Sequence, residues 1–155
     1  MLVSNPGWGE LDEEYCNCVF RPAFLRAAED AFDNMQEVTV GMASGKSEVG
    51  VNRRELNKEN AIVLGQNPQG IYNPEMSVVS FKNNTGEVVA NIIHYGCHGT
   101  SAGIITAISR DWEGVMCDLL EKHSGGMSAF FNGPEGDVGP RISNGKTAGH
   151  DIKYI

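Results

Sequence analysis

The sequence predicts an α/β fold in which a mixed sheet is flanked by helices. Three observations lead to this prediction: an apolar stripe of helical period near the start, two β-rich segments around a tight turn, and a helix followed directly by an apolar strand. The chain has 155 residues, the length of one domain, and its apolar content of 41% is slightly below the globular average. We therefore expect a single domain over residues 1–155.

Residues 12–35 are predicted to form the first helix. Apolar side chains recur there at three- and four-residue steps, and acids at 12–14 lie where the helix dipole favours negative charge. Pro22 lacks a backbone N–H, so we expect it to kink or split this helix. The β-branched segment EVTVGMASG then predicts a strand that ends near Gly45. The segment 46–74, rich in Asn, Gly and Pro, is predicted to be mostly loop, which is long for a compact domain and indicates a functional segment or missing packing partners.

A hairpin, a helix and a strand complete the predicted order. MSVVSFK and EVVANIIHY flank NNTG, whose Asn and Gly supply the positive-φ positions that a tight turn needs. RDWEGVMCDLLEKHSGG predicts a helix that Ser109 or Asp111 caps and Gly125 ends. MSAFFNG predicts a buried strand, which leads into FFNGPEGDVGPR. Because ligands bind at the carboxyl ends of strands in α/β sheets, the segments after the two apolar strands form the candidate site.

Composition argues against several classes of function. The net charge is −8 and the basic residues cluster nowhere beyond Arg53-Arg54, which argues against a nucleic-acid partner. No apolar run approaches the ~20 residues that span a bilayer, and the start MLVSNPGWGELDEEY lacks the pattern of a signal peptide. The cysteines show no zinc-knuckle spacing and are expected to be reduced thiols, which favours a cytoplasmic chain; they are Cys16, Cys18, Cys97 and Cys117.

His98 is the first candidate site residue. It follows an apolar strand and precedes small residues, and an imidazole in such a place is a common metal ligand or general base. His94 would face the same side if the strand were regular, whereas Cys97 would face away and is not expected to pair with His98. A structural histidine is the alternative, because catalytic zinc needs about three protein ligands and a water.

The loop at 133–140 is the second candidate. Gly133, Gly136 and Gly139 could turn backbone N–H groups inward as an anion nest or oxyanion hole, and Asp137 could hold an imidazole or a guanidinium. An ordinary tight turn explains the same composition. The P-loop pattern is not met, because none of these three glycines is followed directly by a Lys-Ser/Thr pair.

Five segments resemble, in order, the motifs of the neutral/alkaline (non-lysosomal) ceramidase family: VGVNRRE, GQNPQGIYNPEMSVVSF, NIIHYGCHGTSA, ISRDWEG and FFNGPEGDVGPR. The resemblance covers residues 10–141. It implies a zinc-dependent amidohydrolase that cleaves the N-acyl bond of ceramide to sphingosine and a fatty acid. It also implies that His98 is a zinc ligand, that Arg53 orients the nucleophile, and that the segment 136–140 carries that nucleophile.

The chain departs from the family pattern in three places. Gly139 stands where the family has its nucleophilic serine, and Ser143 lies too far along the chain to replace it, so a zinc-activated water is the expected nucleophile. A second zinc histidine belongs to an HTH-type motif that would lie before residue 5. The family's Glu and Tyr ligands come from segments downstream of the loop, and neither Glu135 nor Tyr154 has a matching context.

These departures predict a partial ceramidase-like catalytic domain, truncated at both ends and inactive as a free chain. A non-catalytic binding or scaffolding descendant of the same fold is the alternative. Phosphate binding by the glycine-rich loop is not favoured, because no basic residue precedes Arg141 there.

Five positions have a structural alternative. Arg53 and Arg54 could be a solvated pair at a strand end. Asp111 resembles the acid of the family's S-x-D-x-x-G segment, yet it could simply cap its helix. Trp8 and Trp112 are expected to serve packing rather than lipid binding.

Overall fold

The structure is a computed structural model and describes residues 10–103 and 107–143. The chain divides into two compact units, Met1–Glu37 and Val38–Ile155. The described part of the first unit is helical and comprises α1 (Glu13–Tyr15), a π-helical segment (Cys16–Phe20) and α2 (Arg21–Asp33). The carboxylate of Asp12 accepts a hydrogen bond from the Tyr15 N–H and so begins the helix.

The predicted first helix is confirmed, and so is its irregularity near Pro22. The π-helical segment ends one residue before α2, and Pro22 lies in the first turn of α2. Proline cannot donate to the carbonyl four residues back, and its ring crowds that carbonyl, so a wider turn relieves the clash. No residue of α1, the π-helical segment or α2 is buried, so the apolar stripe forms no core among residues 10–37.

Two sheets and one helix make up the described part of the second unit. The larger sheet has the order β1-β4-β5-β6 and consists of β1 (Thr39–Lys46), β4 (Glu75–Lys82), β5 (Val88–Tyr95) and β6 (Met127–Asn132). The smaller sheet has the order β3-β2-β7 and consists of β2 (Gly50–Leu56), β3 (Ile62–Asn67) and β7 (Val138–Pro140). The helix α3 (Asp111–Ser124) connects β5 to β6, which run parallel, whereas the other pairs are antiparallel. A mixed α/β architecture is therefore confirmed, with one sheet more than the sequence predicted.

The prediction of a long loop over 46–74 is wrong, because β2 and β3 lie within it. β2 has a charged and polar centre, and β3 is an Ile-Val-Leu run followed by Gly-Gln-Asn, so neither shows the apolar/polar alternation that identifies a strand in sequence. The connection between them is shaped by Asn57, whose side-chain oxygen accepts hydrogen bonds from the N–H groups of Glu59 and Ala61. Strand β7, inside the predicted loop FFNGPEGDVGPR, was likewise not predicted.

The predicted hairpin and second helix are confirmed. The β4–β5 turn contains Gly86 at φ +86°, and the Asn83 side chain accepts from the N–H groups of Thr85 and Glu87. The Ser109 hydroxyl accepts from the Asp111 N–H at the start of α3, and Gly125 at φ +75° ends the helix. Strand β6 is an edge strand whose outward side chains are exposed, so the prediction of a buried strand is wrong.

The core lies between the larger sheet and α3. Its buried members are Tyr95, Cys97, Trp112 and Val138. Trp112 meets Tyr95 and Phe130 edge-on, at ring-centroid distances of 6.2 and 5.2 Å. The predicted packing role of Trp112 is thus confirmed, while Trp8 lies outside the described residues.

The four cysteines are free thiols, as predicted. Burial, more than the nearby carboxylates, raises the pKa of the Cys97 thiol to about 12, so this thiol stays protonated beside His98. In the parts of the chain that the structure describes, no helix has the length and apolar content needed to cross a bilayer.

Candidate functional site

The two candidate strand ends lie side by side. The Gly133 N–H donates to the Tyr95 carbonyl at 3.0 Å, and the His98 N–H donates to the Val138 carbonyl at 3.2 Å. Gly96 permits this approach, because a Cβ there would collide with the Pro134 carbonyl. The sequence placed both segments at strand ends, and the sheet brings them together.

The His98 ring has one paired and one unpaired nitrogen. Its Nδ1 lies 3.3 Å from Glu135 Oε1, and both side chains are 26% exposed. Its Nε2 is buried and has no hydrogen-bond partner. A carboxylate beside Nδ1 favours the tautomer with the proton on that nitrogen and leaves a lone pair on Nε2. A free, oriented imidazole lone pair is what a metal ion or a transferred proton needs.

The described residues do not complete a zinc site. In residues 10–103 and 107–143, no group of three His, Cys, Asp or Glu side chains could hold a metal ion. His98 therefore fits as one imidazole ligand of the four-coordinate shell that zinc prefers, and the other ligands are not among these residues.

The condition under which His94 and His98 would share a side, a regular strand through both residues, is not met. Strand β5 ends at Tyr95, so the alternation of a strand does not extend to His98. The His94 ring instead lies against Gly133, with two ring atoms 3.0 Å from the point that a Cβ there would occupy.

Arg53 and Arg54 fasten the loop between β6 and β7. Arg53 donates from Nε and Nη2 to the Gly136 carbonyl at 3.3 and 3.1 Å, and Arg54 Nη2 donates to the same oxygen at 3.0 Å. The Arg53 N–H also donates to the Asp137 carbonyl at 2.7 Å. The two side chains are therefore bound to the loop rather than free in solvent, and they hold the segment that the resemblance assigns to the nucleophile.

Gly139 lies beside Arg53 in a place that could hold a side chain. It pairs with Val51 across the β2–β7 ladder, and a Cβ added there would be 3.6 Å from Cβ and Cδ of Arg53, an ordinary contact distance. The position thus has room for the first atom of a serine side chain.

Two predicted roles in this loop are corrected. The Gly133 N–H is bonded to the Tyr95 carbonyl, so it is not available to an oxyanion, because the strand pairing continues one residue beyond β6. The Asp137 carboxylate accepts from the Asn52 amide at 3.4 Å, and no imidazole or guanidinium of a described residue binds it. The space around Gly136 is open, since a Cβ there would meet no atom within 4 Å.

Asp111 ties the segment after His98 to α3. Its carboxylate accepts from the N–H groups of Ser101, Ala102 and Trp112 at 2.9, 3.0 and 2.8 Å, and the residue is only 8% exposed. The backbone φ of Asp111 is +52°, which Asp tolerates better than most residues. Asp111 is the first residue of α3, whereas the N-cap is Arg110 and makes no side-chain cap hydrogen bond, so the prediction that Asp111 caps the helix is wrong. Its contacts with the loop were not predicted.

Glu113 is a neighbour of the site that the sequence analysis missed. Its side chain lies over Gly99, where a Cβ would collide with the carboxylate, and its Oε2 is buried without a partner. Burial first, and then the charges of Asp111 and Glu135, raise the pKa of Glu113 to about 7. Its place in the motif ISRDWEG was the only available signal, and an acid there is equally typical of an exposed helix start.

Glu113→Gln is expected to remove a pH dependence of stability. The folded-state pKa of about 7 lies above the ordinary 4.5, so folding binds this proton. The resulting stabilisation is complete below pH 4.5 and is lost as the pH rises through 7. Because the carboxyl is half exposed, we expect wild type to lose only about 1–2 kcal/mol of unfolding free energy between pH 5 and about pH 8. Urea denaturation at both pH values measures this change, with Glu59→Gln, at an exposed position, as matched control. If the unfolding free energy changes equally between the two pH values in wild type, Glu113→Gln and Glu59→Gln, the prediction is wrong.

No protein-family model matches the sequence, and no curated protein matches it. Among solved structures, neutral ceramidase from Pseudomonas aeruginosa matches 84% of the chain with a TM-score of 0.63 and 23% identity. A ceramidase complexed with C2, also from P. aeruginosa, matches 72% with a TM-score of 0.58 and 29% identity. The matched parts are 22% and 18% of those chains, so this chain spans about a fifth of their length. The chain is therefore structurally similar to the neutral ceramidases, which confirms the resemblance that its five motifs indicate.

Proposed function

We propose that the chain forms part of a ceramidase-like hydrolase site that acts on a lipid amide. The similarity to the neutral ceramidases supports the class of reaction. The observation that carries the site is the buried, unpartnered Nε2 of His98 where the two strand ends meet. Because the chain spans about a fifth of the solved ceramidases, we propose that residues 1–155 are a partial catalytic domain and part of a larger α/β hydrolase domain.

His98 is proposed to hold zinc through Nε2, with Glu135 orienting the ring from Nδ1. When bound, zinc would polarise the amide carbonyl and acidify a water molecule. Glu135 keeps the imidazole in the tautomer that leaves Nε2 free. The His98 backbone, from which the ring projects, is held by two hydrogen bonds: its N–H donates to the Val138 carbonyl, and its carbonyl accepts from the Trp112 Nε1–H.

Arg53 and the loop at 133–140 are proposed to position the reacting group. The arginine side chain is held at the Gly136 carbonyl, directly beside Gly139. Gly139 offers no nucleophile, so attack would fall to water, and Arg53 would then contact the amide carbonyl or the attacking water. Asp137, bonded to Asn52, shapes the loop rather than the chemistry.

The presence of Gly139 at the position of the family's nucleophilic serine favours a second candidate function. A descendant that binds or scaffolds without hydrolysis would keep the fold, the His98–Glu135 pair and the arginine contacts, and would lose the serine. Zinc binding at His98 is common to both proposals, whereas turnover separates them.

Zinc titration followed by NMR of the histidine rings tests the site. We expect the His98 ring resonances to shift, with affinity weaker than about 1 µM because the described residues supply one ligand. His98→Ala should abolish the shift. His94→Ala is the matched control and should bind zinc as wild type does. If His98→Ala binds zinc as well as wild type, His98 is not the ligand.

Hydrolysis of a fluorogenic N-acyl amide, measured on the same zinc-loaded samples, separates the two candidate functions. Turnover by wild type that is lost in His98→Ala supports the hydrolase. If Gly139→Ser hydrolyses the amide and wild type does not, the chain lacks activity because the serine is missing, in agreement with the binding descendant. If neither protein turns over although His98 binds zinc, residues 1–155 bind zinc without hydrolysis by themselves, which agrees with both the partial catalytic domain and the binding descendant.

A further inference from the structure

Asn52 is a buried polar residue that has no role in the function proposed above. It is 7% exposed and lies in β2, directly before Arg53. Its side-chain Nδ2 donates to the Ile71 carbonyl at 2.8 Å and to the Asp137 carboxylate at 3.4 Å, and its Oδ1 accepts from the Arg54 N–H at 2.9 Å. One amide therefore joins β2, the connection between β3 and β4, and the loop between β6 and β7.

The Asn52 amide is held in one orientation by its surroundings. A Cβ at Gly70 would be 2.6 Å from Cγ and 2.7 Å from Cβ of Asn52, so the glycine backbone packs directly against the side chain. The register of the β2–β3 ladder shifts between Asn52 and Arg54, where one residue of β2 faces two of β3. The amide oxygen accepts the Arg54 N–H at this irregularity.

Arg53 binds the same loop residues that the Asn52 amide reaches. The Arg53 N–H donates to the Asp137 carbonyl at 2.7 Å, and its Nε and Nη2 donate to the Gly136 carbonyl at 3.3 and 3.1 Å. The Asn52 amide binds the Asp137 side chain from the same strand. A displacement of residues 136–137 would therefore move the oxygen that holds the Arg53 guanidinium.

We propose that Asn52 is the positioning residue of Arg53, because its amide fixes the loop whose Gly136 carbonyl holds the guanidinium. The inference rests on the proposed function, in which Arg53 contacts the amide carbonyl or the attacking water. An amide is required, since the site needs two N–H donors and one acceptor in a single short side chain. A carboxylate at position 52 supplies no donor, and it would face the Asp137 carboxylate and the Ile71 carbonyl without a hydrogen bond to either.

Arg141 allows a positioning role to be separated from a general effect on stability. Its Nε–H donates to the Glu48 carbonyl at 3.0 Å, just before the start of β2. A residue that merely stabilises the smaller sheet would protect the Nε–H groups of Arg53 and Arg141 alike. A residue that positions Arg53 would protect the Arg53 group selectively.

Exchange of the arginine Nε–H protons with water, measured by ¹⁵N NMR of the whole chain, tests the proposal. In Asn52→Asp we expect the Arg53 Nε–H to exchange about tenfold faster, which corresponds to the loss of about one hydrogen bond, and the Arg141 Nε–H to exchange as in wild type. Asn91→Asp is the matched control, since Asn91 is 4% exposed and its amide donates to the Ser124 hydroxyl at 3.4 Å. This control should leave the Arg53 exchange unchanged.

Asp137→Ala is a second variant that removes the bond to the loop without changing a buried residue, because Asp137 is exposed. It should also accelerate exchange at Arg53 and not at Arg141, and it decides the question if Asn52→Asp does not fold.

Three results would overturn the proposal: unchanged exchange at Arg53 in both variants, equal acceleration at Arg53 and Arg141, or the same acceleration at Arg53 in Asn91→Asp. The measurement needs neither zinc nor substrate, so its outcome is independent of the zinc titration and of the hydrolysis assay that test the proposed function.

Discussion

Trp112→Ala is expected to lower the free energy of unfolding by about 3–5 kcal/mol. The side chain is 9% exposed and fills the space between the larger sheet and α3, edge-on to Tyr95 and Phe130. Its Nε1–H donates to the His98 carbonyl at 3.0 Å. Alanine would leave a cavity and an unpaired carbonyl beside the candidate zinc ligand, so both packing and polar terms are lost.

Urea denaturation of Trp112→Phe separates the contribution of packing from that of the hydrogen bond, and Leu119→Ala serves as a control. Trp112→Phe keeps an aromatic ring and loses the N–H donor, so we expect a smaller loss of about 1–2 kcal/mol. Leu119→Ala, at a position 62% exposed on the same helix, is the matched control and should cost about 0.5 kcal/mol or less. A cost of Trp112→Ala no larger than that of Leu119→Ala would show that this core contributes little to stability.

Asp111→Ala is expected to cost about 2–4 kcal/mol, the second largest effect. Three backbone N–H groups lose a shared carboxylate acceptor, and those of Ser101 and Ala102 are left buried without a partner. Alanine is also less tolerant than aspartate of φ +52°. Hydrogen exchange by NMR should show faster exchange of the Ser101 and Ala102 amides than of the β4–β5 ladder.

Asp118→Ala is the matched control for Asp111→Ala. Asp118 lies on the same helix, and its ion pair with Arg110 is mostly exposed, so its loss should cost far less stability than the loss of Asp111. Asp111→Asn keeps the tolerance of positive φ and one acceptor oxygen, and should fall between the two. If Asp111→Ala and Asp118→Ala cost the same, the carboxylate does not hold the loop.

Trp112→Ala and Asp111→Ala both test how α3 holds the segment that carries His98. The segment that carries His98 is held by α3 through Trp112 and Asp111, while the facing loop is held by Arg53 and Arg54. The geometry of the candidate site therefore depends on the helix crossover and on strand β2. Neither of these elements supplies the proposed metal ligand.

Local signals explain the elements that the sequence predicted correctly. Three features depend on residues only a few positions apart and can therefore be predicted from local sequence: the NNTG turn, the end of the helix at Gly125 and the irregularity at Pro22. The strands β2, β3 and β7 had no such signal. They are short or polar, and their formation depends on each other and not on an apolar alternation.

By itself, the sequence determined the hairpin, the helices, the two strand ends that carry the candidate site and the family they resemble, because periodicity, turn chemistry and motifs are written in local order. Only the tertiary structure decided the surroundings of these residues. It paired His98 with Glu135, set Glu113 over Gly99, and bound Arg53 and Arg54 to Gly136. The physical reason is that burial, pKa and hydrogen-bond partners depend on contacts between distant segments, and these exist only when the strands have paired.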